Sequence, residues 1–242
     1  MTGTGTTPGL DEDPPRQPTS ERLQVLAFGA IGWPWLLKSL YGGTKRGKRA
    51  LLKGLGLPPD ALPNLGSWKA DVGFLQVIAD HIRERKPKSV VELGAGVTSL
   101  VAARALQLNG EGKLLSFEHH ADFATRTRRW LFENDVKAEV RHAPLRPSPG
   151  GWPGLWYDHG PLPERIDLLI IDGPPWSVHP YVRGAAETMF ERIPPGGVIL
   201  LDDAARPGER IVARRWRKNW PDFEFKFARL GSKGTLIGTR MR

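Results

Sequence analysis

The chain has 242 residues, 40% of them hydrophobic, enough for one domain with a substantial core plus an extension. It has no cysteine, which excludes disulfides, thiolate nucleophiles and cysteine metal sites. The formal charge of +9 is unevenly placed: residues 20–53 carry +6 and residues 204–242 carry +8, with a slightly acidic stretch between them. Such basic blocks suit anionic partners as well as a plain solvated face.

Residues 1–20, rich in Gly, Thr and Pro, read as a disordered tail without the basic and apolar regions of a secretory signal. Residues 21–67 form a helical extension ahead of a main domain at 68–242. Leu23 to Leu40 is markedly apolar, with Trp33-Pro34-Trp35 at its middle, and Gln24, Lys38 and Pro34 make it a poor membrane span. It reads as a helix packed on the domain. The alternative is peripheral membrane contact through residues 23–53, because Lys45, Arg46, Lys48 and Arg49 follow the tryptophans. The expected location is cytoplasmic.

From Ala70, apolar residues at helical spacing (Phe74, Leu75, Ile78, Ala79, Ile82) predict a helix that Pro87 stops. Strands are then expected at 89–93, 113–117, 138–141, 166–171 and 197–201. Helices follow at 98–108, 122–133, 181–192 and 208–218. Two closing strands, 223–227 and 235–238, are joined too tightly for a crossover and should be antiparallel. Continuous apolar strands alternating with helices predict an α/β fold, a doubly wound, mostly parallel sheet with helices on both faces.

Ligands of such sheets bind beyond the carboxyl ends of the strands. After the first strand comes Glu92-Leu93-Gly94-Ala95-Gly96, where glycines allow close backbone approach, with Thr98 or Ser99 as the cap of the next helix. The acid at Glu92 disfavours a pyrophosphate, and with it an NAD enzyme, and suits a cationic ligand such as a sulfonium. After the second strand, Glu118 is placed to accept hydrogen bonds from a ribose diol, with His119 beside it. After the fourth and fifth strands come Asp172-Gly173-Pro174-Pro175-Trp176 and Asp202-Asp203. The three aspartates suit either a magnesium-type oxygen site or substrate positioning. Adjacent strand residues point apart, so Asp202 and Asp203 converge only if the strand has ended.

Together, the glycine turn, Glu118, the segment Ile171–Pro175 and the segment Pro195–Asp203 resemble class I S-adenosylmethionine-dependent methyltransferases. Within that superfamily they are most similar to the bacterial small-molecule branch catalogued as methyltransferase family 24. The segments Ala143–Leu145 and Trp156–Asp158 fit that branch too, and Val97 replaces a third glycine common elsewhere. The resemblance covers roughly residues 68–240. It implies the seven-strand order 3-2-1-4-5-7-6 with the last strand antiparallel, and S-adenosyl-L-methionine as cofactor. It implies that Glu92, Gly94, Gly96 and Glu118 face the cofactor; Ala95, Thr98, His119 and Asp172, beside them in the same turns, are expected to contact it as well. Asp172, Asp202 and His179, the last as candidate base, are the expected catalytic residues. Some relatives bind a divalent metal through acids placed like Asp172, Asp202 and Asp203; the sequence here favours no metal. The expected reaction is methylation of a small-molecule acceptor at oxygen. Two alternatives remain. One is methylation of nucleic acid, through the basic stripe Arg210, Arg214, Arg217 and Lys218, which is not favoured. The other is a non-enzymatic membrane-surface or scaffold module that keeps the fold.

Overall fold

The computed structural model describes residues 18–242. The expected tail therefore lies outside the described residues up to residue 17, while Thr19 and Ser20 already belong to the first helix, α1 (Thr19–Ser39). Pro34 sits inside α1 without ending it. A short basic helix follows, α2 (Lys45–Gly54), capped by Thr44 Oγ1 accepting from the Gly47 amide at 2.9 Å. Then come α3 (Val72–Arg85), β1 (Ser89–Leu93), α4 (Val97–Asn109), β2 (Lys113–Glu118), α5 (Ala121–Glu133) and β3 (Glu139–His142).

The small hairpin β4 (Leu145–Pro147) and β5 (Leu155–Tyr157), which the sequence reading did not resolve as strands, precedes β6 (Leu168–Ile171). The segment Val182–Arg192 is helical as expected, but in the tighter 3₁₀ form. Gly184 in it lies under Trp152, where an added Cβ would fall 2.2 Å from the ring. β7 (Val198–Leu201), α6 (Pro207–Asn219), β8 (Phe223–Ala228) and β9 (Thr235–Arg240) complete the chain.

The large sheet has the order β3-β2-β1-β6-β7-β9-β8. β3 through β7 pair in parallel, and β9 is antiparallel to both β7 and β8. With the inserted hairpin discounted, this is the expected order 3-2-1-4-5-7-6. Period-two alternation divides the strand side chains between two cores. Val90, Leu168, Ile170, Val198 and Leu200 join the core under α2, α3 and α4. Val91, Leu93, Leu169, Ile171, Ile199 and Leu201 join the core under the hairpin, the 3₁₀ segment and α6. Both faces of the inner strands are thus dry, which is why they read as unbroken apolar runs.

Two tethers matter for the site. α1 lies on the 175–181 loop: Phe28 meets Tyr181 edge-on at 5.0 Å between ring centroids, and Gln24 Oε1 lies 2.9 Å from His179 Nε2. Asp71 caps α3 by accepting from the Phe74 amide at 2.9 Å, and its other oxygen accepts from Ser232 N at 2.6 Å and Ser232 Oγ at 2.9 Å. That contact pins the β8–β9 loop, and with it Lys233, against the strand ends.

Candidate active site

The ends of β1, β2, β6 and β7 border a cavity of about 640 Å³, within the size range of small-molecule sites. Gly94, Glu118 and His119 line it together with Tyr157, Asp172 and Trp176. A second cavity of about 590 Å³ adjoins it; Ala95, Trp68, Phe123 and Asp172 face both.

The glycine turn is built for contact on one side and openness on the other. Gly94 has φ +94°, and a Cβ there would fall 2.8 Å from the Gly173 amide nitrogen, so the β1 and β6 turns touch through their backbones. A Cβ on Gly96 would meet nothing within 4 Å, and Gly96 lines the second cavity. A ligand can therefore approach the Gly96 backbone directly. Glu118 is nearly buried, accepts from the His120 amide at 2.8 Å, and lies 3.1 Å from His119 Nδ1.

Glu92 is placed differently from the sequence reading. It lines neither cavity but is fully buried beneath the turn. One of its oxygens accepts from Ser116 Oγ at 2.5 Å and from Ser99 Oγ, and Ser99 Oγ in turn accepts from the Gly96 amide at 2.9 Å. The acid braces the turn rather than facing the cavity. Burial pushes its pKa up to about 7 against the pull of those hydroxyls. Thr98 is also buried away from both cavities; helix α4 begins at Val97, and Ser99, not Thr98, takes the capping amide.

His179 does not reach the cavity either. Its ring is closed off from solvent, Nδ1 accepts from the Tyr181 amide at 3.2 Å, and Nε2 meets Gln24. Burial lowers its pKa to about 4. With Nδ1 accepting, the neutral ring donates from Nε2, and no nitrogen is left to take a substrate proton. The sequence showed a histidine just past the Asp172 loop but not the helix, 155 residues earlier, that covers it.

The three aspartates do converge. β7 ends at Leu201, Asp203 adopts φ +59°, and oxygens of Asp172, Asp202 and Asp203 lie within 4.8 Å of one another. Cations occupy their surroundings. Arg206 lies 2.8 Å, Arg183 3.1 Å and Lys233 3.6 Å from Asp203, and Lys233 is 3.8 Å from Asp202. Arg183 also donates to the Asp172 carbonyl at 2.7 Å, and Lys233 donates to the Lys69 carbonyl at 2.8 Å. A dication placed among these acids would confront two buried cationic side chains, so the residues present do not fit a divalent metal. Within the cluster the acids differ. Arg206, Lys233 and Arg183 hold Asp203 below the usual carboxylate range although it is buried. Burial and the Asp203 charge hold Asp202 well above it. Asp202 lies behind the cavity wall, whereas Asp203 and Arg183 form part of it. Sequence reading missed Arg183, Arg206 and Lys233; buried acids at two adjacent strand ends demand counter-charges, and that demand was the available signal.

Among solved structures, a methyltransferase from Geobacter sulfurreducens superposes with a TM-score of 0.53 at 17% identity, over 88% of this chain and 97% of that one. An O-methyltransferase from Bacillus cereus, solved in complex with SAH, gives 0.55 at 15% identity over 90% of this chain and 100% of its own. An O-methyltransferase from Streptomyces achromogenes involved in tomaymycin synthesis, solved in complex with SAM, gives 0.52 at 15% identity over 90% and 99%. No curated protein matches the chain. These likenesses establish the fold. A family model described as a methyltransferase domain matches residues 91–204, from the middle of β1 to the acids after β7.

The chain has the class I methyltransferase fold.

The matched span includes the glycine turn and the Asp172 and Asp202 segments, on which the sequence resemblance to S-adenosylmethionine-dependent methyltransferases also rests. The matched span holds Glu92, Gly94, Gly96, Glu118, Asp172 and Asp203. Arg206, Lys233 and the residues at the end of α1 that line the 640 Å³ cavity (Leu36, Ser39, Leu40) lie outside it.

Proposed function

We propose that the enzyme methylates a hydroxyl of a small acceptor bound in the 640 Å³ cavity, with Asp172 as the base. The observation that carries this reading is that one cavity is lined both by Gly94, Glu118 and His119, suited to the cofactor, and by Asp172, Tyr157 and Trp176, suited to an acceptor. Bound S-adenosylmethionine would supply a methyl group activated by its sulfonium. Glu118 would accept from the ribose hydroxyls, and the open backbone at Gly96 would lie against the donor. The chain's remaining task is alignment and management of the acceptor's proton. Asp172 Oδ1 is buried at the junction of the two cavities and has no hydrogen-bond partner among the described residues. Burial, against the Arg183 charge 3.7 Å away, raises its pKa to about 6. A carboxylate of that basicity is ionised at neutral pH and is a stronger base than an exposed aspartate. Tyr157 and Trp176 supply flat apolar walls for the acceptor.

The names of the Bacillus cereus and Streptomyces achromogenes structures support oxygen as the methylated atom. The basic stripe of α6, on which a nucleic-acid substrate would depend, lines neither cavity. The test is release of S-adenosylhomocysteine during incubation with a panel of phenols, alcohols and amines. Turnover confined to amines would refute the oxygen assignment.

A further inference from the structure

Helix α1 covers the 175–181 loop with one face and leaves the other bare. Leu23, Leu26, Trp33, Leu37 and Leu40 recur at three-, four- and seven-residue spacing, and each is 55–70% exposed. That spacing forms one stripe along a helix. An apolar stripe of this length on a surface marks an interaction face. No helix among the described residues is long and apolar enough to cross a membrane.

Charge identifies what the stripe meets. From Arg22 to Pro59 the chain contains no acidic residue and seven cations. Four of these, Lys45, Arg46, Arg49 and Lys53, lie exposed on α2, which is anchored by its buried Leu51 and Leu52, and none forms an ion pair among the described residues. A second copy seated on the stripe would bring two such segments together and set like charge against like charge. An anionic leaflet complements both features, since apolar side chains enter the acyl boundary while lysines and arginines reach the headgroups. The stripe also leads to the catalytic cavity. Leu40 belongs to both, and at the same mouth Trp68 is 72% and Phe123 44% exposed.

We infer that α1 and α2 dock the protein on an anionic phospholipid surface with the mouth of its cavity against the bilayer; that the cavity is catalytic rests on the methyltransferase reading above. The test is flotation of the full chain with phosphatidylcholine vesicles, with and without phosphatidylglycerol. Binding is expected only with phosphatidylglycerol, and it should weaken with salt. The Leu26→Glu/Trp33→Glu variant, changed away from the cavity, should lose binding at least tenfold. Lys45→Glu/Arg49→Glu should lose roughly fivefold or more for each cation removed. Brominated phosphatidylglycerol should quench tryptophan emission, and less in Trp68→Phe. S-adenosylhomocysteine binding, measured on each preparation, confirms folding. If vesicle binding persists while the cofactor never binds, the methyltransferase reading fails and the docking stands. No binding to phosphatidylglycerol, full binding by both double variants, equal quenching in Trp68→Phe, or a stable dimer that Leu26→Glu/Trp33→Glu dissociates would overturn the inference.

Discussion

Arg183 Nη1 lies 3.1 Å from Asp203 Oδ2, and both side chains are shut away from solvent at the end of β7. Removing one partner of such a pair leaves an uncompensated buried charge, at a cost of about 3–5 kcal/mol. Asp202, next in sequence, is held above the usual carboxylate range by burial and the Asp203 charge, so exchanging it for an amide removes less favourable charge than at Asp203. Asp203→Asn should therefore destabilise the fold by about 3 kcal/mol or more and Asp202→Asn by roughly 1 kcal/mol or less. Urea unfolding of the two variants decides this; equal losses would show that the cluster shares its charge evenly.

The same cations bear on metal dependence. Because Arg183, Arg206 and Lys233 already face the three aspartates, chelation should change neither cofactor affinity nor turnover. Activity lost to a chelator and restored by magnesium would show instead that the acids hold an ion.

The architecture was legible because its physics is local. Apolar runs such as Leu168–Ile171 and Val198–Leu201 declare strands buried on both faces, and Gly94 and Glu118 sit where the topology places ligands. What escaped was non-local. His179 reads as a free base until Gln24 is laid on it. Glu92 reads as a ligand contact until Ser99 and Ser116 are seen to claim it. Lys233 has no local pattern at all; the Asp71–Ser232 contact delivers it across more than 160 positions. The β4–β5 hairpin, three residues per strand, is too short to show a period.

A pH profile of kcat/KM separates the two candidate bases. Asp172 acts when ionised, so activity should rise with pH through about 6. His179→Gln should leave the shape of that profile unchanged. Asp172→Asn should lower the rate at least ~100-fold and abolish the rise. A rise that survives in Asp172→Asn would assign the proton transfer elsewhere.

Glu92 makes stability depend on pH. Its folded pKa, about 7, is above the ordinary 4.5. The folded state thus holds the proton more tightly, and the stabilisation is full below about pH 4.5 and fades as pH rises through 7. That contribution amounts to roughly 2–3 kcal/mol between pH 5 and pH 8. Urea unfolding should show Glu92→Gln losing that much less over this range than the wild type; an unchanged slope would mean that Glu92 is ionised throughout.

The central claim is that the cavity at the β1 and β2 ends binds S-adenosylmethionine, with Glu118 on the ribose. Titration calorimetry with S-adenosylhomocysteine tests it most directly. The wild type should bind one equivalent. Glu118→Ala should bind about 10- to 150-fold more weakly, the loss of a charged hydrogen-bond partner worth about 1.5–3 kcal/mol. No binding by the wild type, or equal binding by both proteins, would contradict the account.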